Sequence, residues 1–212
     1  MYLPNHFAEP RIEMMHELMR TYPLATLVTL TANGLDANHI PLQLLADATP
    51  FGTLQGHVAR ANPLWQDFNE KVEVLLIFQG PEAYVSPSWY SSKKENGKAV
   101  PTWNYAVVHA HGTLRIIDDA AWVRAQIEAL TTRHEAALPH PWAVGDAPHD
   151  YTEKLIGAVV GIEIVIRRIE GKWKTSQNQP AANQAGVVEA LRRSDNVAMA
   201  DLIEARAKTV DQ

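Results

Sequence analysis

The chain has 212 residues, of which 46% are hydrophobic and 20% charged, with a formal net charge of −5. That balance describes a soluble globular protein large enough to bury a core without staples, and not an autonomous nucleic-acid binder, which carries a basic stripe. The absence of cysteine excludes disulfides, thiolate-bound zinc, iron–sulfur clusters and thiol chemistry.

Residues 10–22 read as a helix. Pro10 suits the first turn, Ile12, Met15, Met19 and Tyr22 share one face, and Pro23 ends it. Strands follow at 25–30 and 39–45, joined through an Asn33-Gly34 turn that is the strongest hairpin signal in the chain. A third strand at 51–58 leads into "NPLWQDF", a short helix with Asn62 at its cap and Pro63 in its first position. Strands at 71–79 and 83–87 flank Gly80-Pro81, and 88–101 is a polar, mobile loop. A long strand at 104–117 bends or bulges at Gly112. The clearest helix spans 118–138, capped by Asp118 or Asp119, with Val123, Ile127 and Leu130 as its buried stripe. Irregular chain then leads to 157–174, a strand pair or one bent strand, and the tail is helical from about 183.

Six or seven hairpin-linked strands without repeated βαβ alternation predict a mainly β, α+β fold: an antiparallel barrel with peripheral helices, in a single domain over 1–212. "MYLPNHFAEP" lacks the regions of a secretory signal, and "LIGAVVGIEIVI" is too short to span a bilayer. A cytoplasmic protein without a membrane association is expected.

No Walker loop, GxGxxG, GxSxG or HExxH is present, and no catalytic residue is nominated. His109 and His111 point to one face of their strand about 7 Å apart, which serves a polar face as well as a metal. No metal site is assigned. The aromatic-polar clusters "YVSPSWY" and "VPTWNY" interleave Ser86, Ser88, Thr102 and Asn104 with Trp89, Tyr90 and Trp103. Flat rings beside amides and hydroxyls suit a planar heteroaromatic ligand, or simple packing at a sheet end. "GKWKTSQN" adds Lys172, Lys174, Ser176, Gln177 and Asn178, which also read as a solvated strand end. In "GHVARANPLW", His57, Arg60 and Asn62 precede a helix N-terminus. The stretch is either a phosphate cradle, gripped by Arg60, or a turn capped by Asn62.

"MYLPNHFAE", "HIPL", "GHVARANPLW", "FQGPEAYVSPSWY", "VPTWNY", "VHAHGTLR", "IGAVVGIEI" and "GKWKTSQN…AGVVEAL" occur in the order and spacing of the PaiB-like proteins. The chain resembles that family of FMN-binding negative transcriptional regulators from Met1 to about Leu191. The family's wider fold is the split barrel of pyridoxamine-phosphate oxidases and flavin reductases. The resemblance implies a homodimer of antiparallel split β-barrels with FMN at the subunit interface. It places His57, Arg60 and Asn62 near the phosphate. Ser86, Ser88, Trp89, Tyr90, Thr102, Trp103 and Asn104 would meet the ribityl chain or ring, and Lys174, Ser176 and Gln177 would reach in from the C-terminal segment. The stretch "QPAANQAGV" departs from the family pattern, with Gln179, Asn183 and Gln184 where charged residues are usual.

Direct DNA binding is doubtful for an acidic chain without a helix-turn-helix. An FMN-dependent oxidoreductase using NAD(P)H is the alternative. A haem-utilisation protein with His39, His57 or His109 as axial ligand is a further one. The sequence leaves open the reductant, the target genes, whether FMN is retained, and the conformation of the 91–99 loop.

Overall fold

Burial alternates with the period of a strand along Leu24–Thr31 and Thr102–Ile117, because successive side chains face opposite sides of the sheet. The structure, a computed structural model, describes residues 1–46, 49–93 and 97–210. Of the 91–99 loop, residues 94–96 therefore lie outside the described residues. Among the described residues there are eight strands and five α-helices, and no helix is long and apolar enough to cross a membrane. By contacts the chain divides into two compact units.

The larger unit comprises Met19–Phe78 and His109–Ile169. Its strands are β2 (Leu24–Thr31), β3 (Gly34–Pro41), β4 (Gln43–Leu45), β5 (Thr53–Ala59) and parts of β6 (Val74–Val85), β7 (Thr102–Ile117) and β8 (Val159–Lys174). They lie in the order β3-β2-β6-β7-β8-β5-β4, with β2–β3, β2–β6, β4–β5 and β5–β8 paired antiparallel. Leu27, Leu54, Leu76, Phe78, Ile162 and Ile164 are fully buried on the inner faces.

The predicted hairpin is present, but its register closes Thr31 on Gly34, so Ala32 and Asn33 form the turn. Gly34 follows the turn at φ 115°, a conformation that favours glycine. The expected single strand over 39–45 is two. The Leu42 amide donates to Pro23 O at 2.9 Å, and at that point the chain leaves β2 and pairs with β5 instead.

Two helices pack on this unit. The first, α2 (Ala120–Glu135), is capped by Asp119, whose carboxylate accepts from the Trp122 amide at 2.7 Å. Its buried positions are Val123 and Gln126; Ile127 and Leu130 are only half-buried. The second, α3 (His149–Gly157), replaces part of the predicted irregular connection. With only Thr152 and Ile156 buried, it shows too little apolar periodicity to be read from sequence. β7 is continuous through Gly112, where a Cβ would stand 2.2 Å from Val165 O, so the glycine admits the neighbouring strand.

The smaller unit comprises Met1–Leu18, Gln79–Val108 and Glu170–Gln212. Most of α1 (Ile12–Thr21) belongs to it, with Met15 and Leu18 buried. β1 (Ala8–Glu9), not foreseen, pairs with the end of β8, Ala8 opposite Lys172. Gly80-Pro81 does not divide β6, which is continuous; a Cβ at Gly80 would stand 2.8 Å from Leu18 Cδ1. The helical tail is two helices, α4 (Ala181–Arg193) and α5 (Val197–Val210). Asp195, left-handed at φ 61°, turns the chain between them, with the Asn196 amide bonded to Leu191 O at 2.9 Å. Val85, Tyr90, Val187, Leu191, Met199 and Ile203 form the core of this unit.

Candidate functional site

The candidate residues fall into two sets, one in each unit. In the larger unit, β5 delivers His57 and then Arg60. His57 Nδ1 lies 2.8 Å from Gln126 Oε1. The Arg60 guanidinium donates to both oxygens of Asp118, at 3.1 and 2.5 Å, and to the carbonyls of Gly157 and Val159 at 3.0 and 3.3 Å. It also lies over the Trp65 ring, 5.6 Å from the centroid, while Trp65 Nε1 donates to Arg60 O. The hydrogen bond to Arg60 holds the Asp118 carboxyl below its ordinary value and raises that of Arg60 in turn. The charge of Arg60 is thus matched within the protein.

Asn62 accepts from the Leu64 amide at 2.9 Å and caps the 3-10 turn Pro63–Trp65; its Nδ2 donates to Asn38 Oδ1 at 2.8 Å. Locally, "GHVARANPLW" is a capped turn. Three residues of 3-10 helix align too few N–H groups to make an anion site of their own.

In the smaller unit, Ser86 caps the 3-10 turn Pro87–Trp89, its Oγ accepting from the Ser88 amide at 3.2 Å. Ser88 Oγ accepts from Lys93 Nζ at 3.4 Å. Gly186 of α4 lies under this turn, where a Cβ would meet Trp89 O at 2.2 Å. Tyr90 is buried in the core, and that burial raises its phenol. Gln177 is spent on its own strand end: Oε1 accepts from the Thr175 amide at 2.7 Å and Nε2 donates to Trp173 O at 2.5 Å.

The remaining residues converge. Thr102, Asn104, Lys174 and Ser176, with Tyr90 and Gln179, line a cavity of about 150 Å³. Lys174 Nζ donates to Thr102 Oγ1 and to Trp103 O, the latter at 2.5 Å. Asn104, 1% exposed, donates through Nδ2 to Ser176 Oγ at 2.8 Å. Ser176 holds a left-handed backbone at φ 60°. A non-glycine residue in this region stores strain, which clusters at ligand sites. The Trp103 side chain is exposed and meets Tyr84 edge-on at 6.0 Å.

Lys172 is buried two residues before Lys174, donates to Tyr2 O at 3.1 Å, and lies over the rings of Tyr2 and Tyr105. Among the described residues neither lysine has a carboxylate partner. Desolvation, followed by the charge of Lys172, lowers the Lys174 ammonium. Two poorly solvated cations without a counter-ion favour an anionic or electron-rich ligand.

Asn183 acts without having been nominated for a role. It is buried, accepts from Ser91 Oγ and the Ser92 amide at 3.1 Å each, and donates to Ser92 Oγ and Gln179 Oε1. It ties the start of the 91–99 loop to α4. The departure from the charged family pattern is the signal that could have found it, since an amide satisfies both donors and acceptors. Gln126 gave no signal: one polar residue in a helical stripe is common.

The family described as "Putative FMN-binding domain" matches residues 1–168. The chain is 34% identical over 250 residues to an uncharacterized protein of Emericella nidulans, covering 100% of each. It is 30% identical to "Protease synthase and sporulation protein PAI 2" of Bacillus subtilis, covering 98% of this chain and 99% of that one. Its fold is shared with the "FAD and Heme binding protein" of Mycobacterium smegmatis, at 16% identity and a TM-score of 0.57, over 79% of this chain and 73% of that one. Lys174, Asn104, Ser176 and Thr102 suit the anionic and carbonyl groups of a flavin nucleotide. The chain belongs to the PaiB-like family of FMN-binding domains, on an antiparallel split β-barrel of the α+β class.

Proposed function

We propose that the protein is a cytoplasmic, FMN-binding homodimer with the flavin at the subunit interface and residues 1–212 acting as one domain. The observation that carries this reading is the Lys172–Lys174 pair, which has no carboxylate partner among the described residues, beside the Asn104–Ser176 bond in a chain of this family. Lys174 would neutralise negative charge on the ligand, Asn104 and Ser176 would orient its polar edge, and the exposed Trp103 would offer a ring face. The cavity of about 150 Å³ is well below the roughly 300–1,000 Å³ of ligand pockets, which supports a site completed by a second copy. When bound, the flavin would supply the hydride or electron chemistry.

Ser86, Ser88, Trp89, Tyr90 and Gln177 enter the proposal as the frame of this site. For His57, Arg60 and Asn62, in the larger unit, the phosphate role is the competing placement, in which a phosphate would have to displace Asp118 from Arg60. With a net charge of −5, any influence on transcription would run through the flavin's redox state and not through operator contact. The oxidoreductase alternative would use the same site.

The test is an absorption spectrum of purified protein before and after incubation with FMN and desalting. Flavin bands retained near one per chain support the reading, and a Soret band in their place favours haem. Anaerobic bleaching by NADH or NADPH separates the oxidoreductase from a passive sensor. A gel shift at low salt tests direct DNA contact, and none is expected.

A further inference from the structure

The amine of Lys174 has a chemistry that charge neutralisation does not use. Lys172 and Lys174 leave the same face of β8, two residues apart, and among the described residues neither meets a carboxylate. Lys174 lines the cavity of about 150 Å³ in the smaller unit. Its Nζ donates to Thr102 Oγ1 and, at 2.5 Å, to Trp103 O. These two bonds use two of the three N–H groups and fix the nitrogen at the cavity wall. The third tetrahedral position has no partner among the described residues, and it carries the lone pair once a proton is lost. A lysine becomes a nucleophile near neutral pH when it is desolvated or stands beside another cation, and Lys174 meets both conditions. Burial, and then the Lys172 charge, lower its ammonium below the usual value, in keeping with that geometry.

The walls select what the amine can meet. Thr102, Asn104, Ser176, Asn178 and Gln179 present hydroxyls and amides, and no carboxylate or arginine lines the cavity. Asn104 and Ser176 bond to each other, whereas the exposed Asn178 amide has no partner among the described residues. Within one chain, about 150 Å³ is below the roughly 300–1,000 Å³ of ligand pockets, so only a compound of a few non-hydrogen atoms fits. The complement is a short, uncharged carbonyl compound that carries a hydroxyl.

We propose that Lys174 is a reversible covalent binding site for a short hydroxyaldehyde, whose hydroxyl meets the free Asn178 amide. Nζ gives up one proton and bonds to the carbonyl carbon, while the carbonyl pair moves onto oxygen. That oxygen takes up the released proton and a second one from nitrogen, and leaves as water. The nitrogen pair closes the C=N bond of an imine that keeps the original positive charge, and hydrolysis reverses every step. Nothing is oxidised or reduced. This chemistry belongs to the chain without flavin and does not rest on the flavin reading.

In the test, the full-length protein, with no flavin added, is exposed briefly to glycolaldehyde and cyanoborohydride, which reduces the imine to a stable amine. Peptide mass mapping then locates the hydroxyethyl groups. Lys174 should be labelled at least tenfold faster than the exposed Lys71 and Lys154 of the same molecules. That advantage should fall at least threefold with acetaldehyde, which lacks only the hydroxyl. Asn178→Ala, at an exposed position, should abolish the hydroxyl preference while Lys174 remains the fastest site. Labelling of Lys174 no faster than that of Lys71 overturns the proposal. So does an equal advantage with both aldehydes, or a hydroxyl preference that survives in Asn178→Ala. FMN retention is measured on unlabelled samples, so failure of either reading leaves the other standing.

Discussion

Asn104 on β7 and Ser176 just beyond β8 are 72 residues apart in sequence, yet join through a 2.8 Å hydrogen bond closed off from solvent. The bond holds a left-handed serine next to the Lys174 ammonium. Ser176→Ala keeps the backbone strain and orphans the Asn104 amide, at a cost of about 1–3 kcal/mol. Urea unfolding monitored by tryptophan fluorescence should show this loss. Ser176→Gly removes the same acceptor but relieves the backbone, so it should unfold at higher urea than the alanine variant.

Lys174 and Arg60 rank the two candidate cations. Lys174→Met should weaken FMN binding roughly ten- to hundredfold, the range of a charged hydrogen bond. Arg60→Ala should leave it within about threefold, because Asp118 already answers that guanidinium. The reverse order in a fluorescence titration would put the phosphate at Arg60.

The lowered Lys174 ammonium predicts a pH dependence. Desolvation puts its value below the usual 10.5, so the site loses its positive charge at a lower pH than an exposed lysine would. In the free protein this burial opposes folding while the lysine is protonated and is relieved as pH rises, because the unfolded chain then binds more protons. FMN affinity should fall in that alkaline window in wild type and be flat across it in Lys174→Met.

Glu9 closes the smaller unit at the chain ends. Its side chain is fully buried and bonded by Arg11 at 2.6 Å and Arg206 at 2.5 Å. Burial pushes its carboxyl up, but the two arginines outweigh it and the value falls below 4.5. This stability is therefore present above 4.5 and is lost as pH drops through the lowered value. Glu9→Gln should cost about 3 kcal/mol at neutral pH, the low end for a broken buried pair, since Arg11 stays partly solvated. The difference from wild type should shrink as the pH is lowered below that value.

Gly186→Ala probes the support of the Pro87–Trp89 turn. A methyl 2.2 Å from Trp89 O forces α4 or the turn to move, at about 1–3 kcal/mol of overpacking. A fall of several degrees in Tm, with weaker FMN retention, is the expected result.

The strand content, the 31–34 hairpin, the Asn62 cap and the α2 cap were legible because each depends on groups a few residues apart. The break at Leu42 was not, because a strand changes partner there without any change in its own pattern. Nor was the continuity of β6 through Gly80-Pro81, where the glycine answers to Leu18 and Ala106 and not to a turn. The family motifs were legible as strings, but a string does not say whether a serine caps a turn, as Ser86 does, or lines a cavity, as Ser176 does.

By itself the sequence determined an acidic, cysteine-free chain of antiparallel strands and caps, with the motifs of a flavin-binding split barrel, since composition and short-range hydrogen bonding follow from neighbours in the chain. Only the tertiary structure decided where the charges and amides go. Arg60 meets Asp118 across 58 residues, Asn104 meets Ser176 across 72, and Lys172 and Lys174 meet no carboxylate among the described residues. Such partnerships follow from which strands lie side by side, and burial, which makes an unanswered charge costly, exists only once they do.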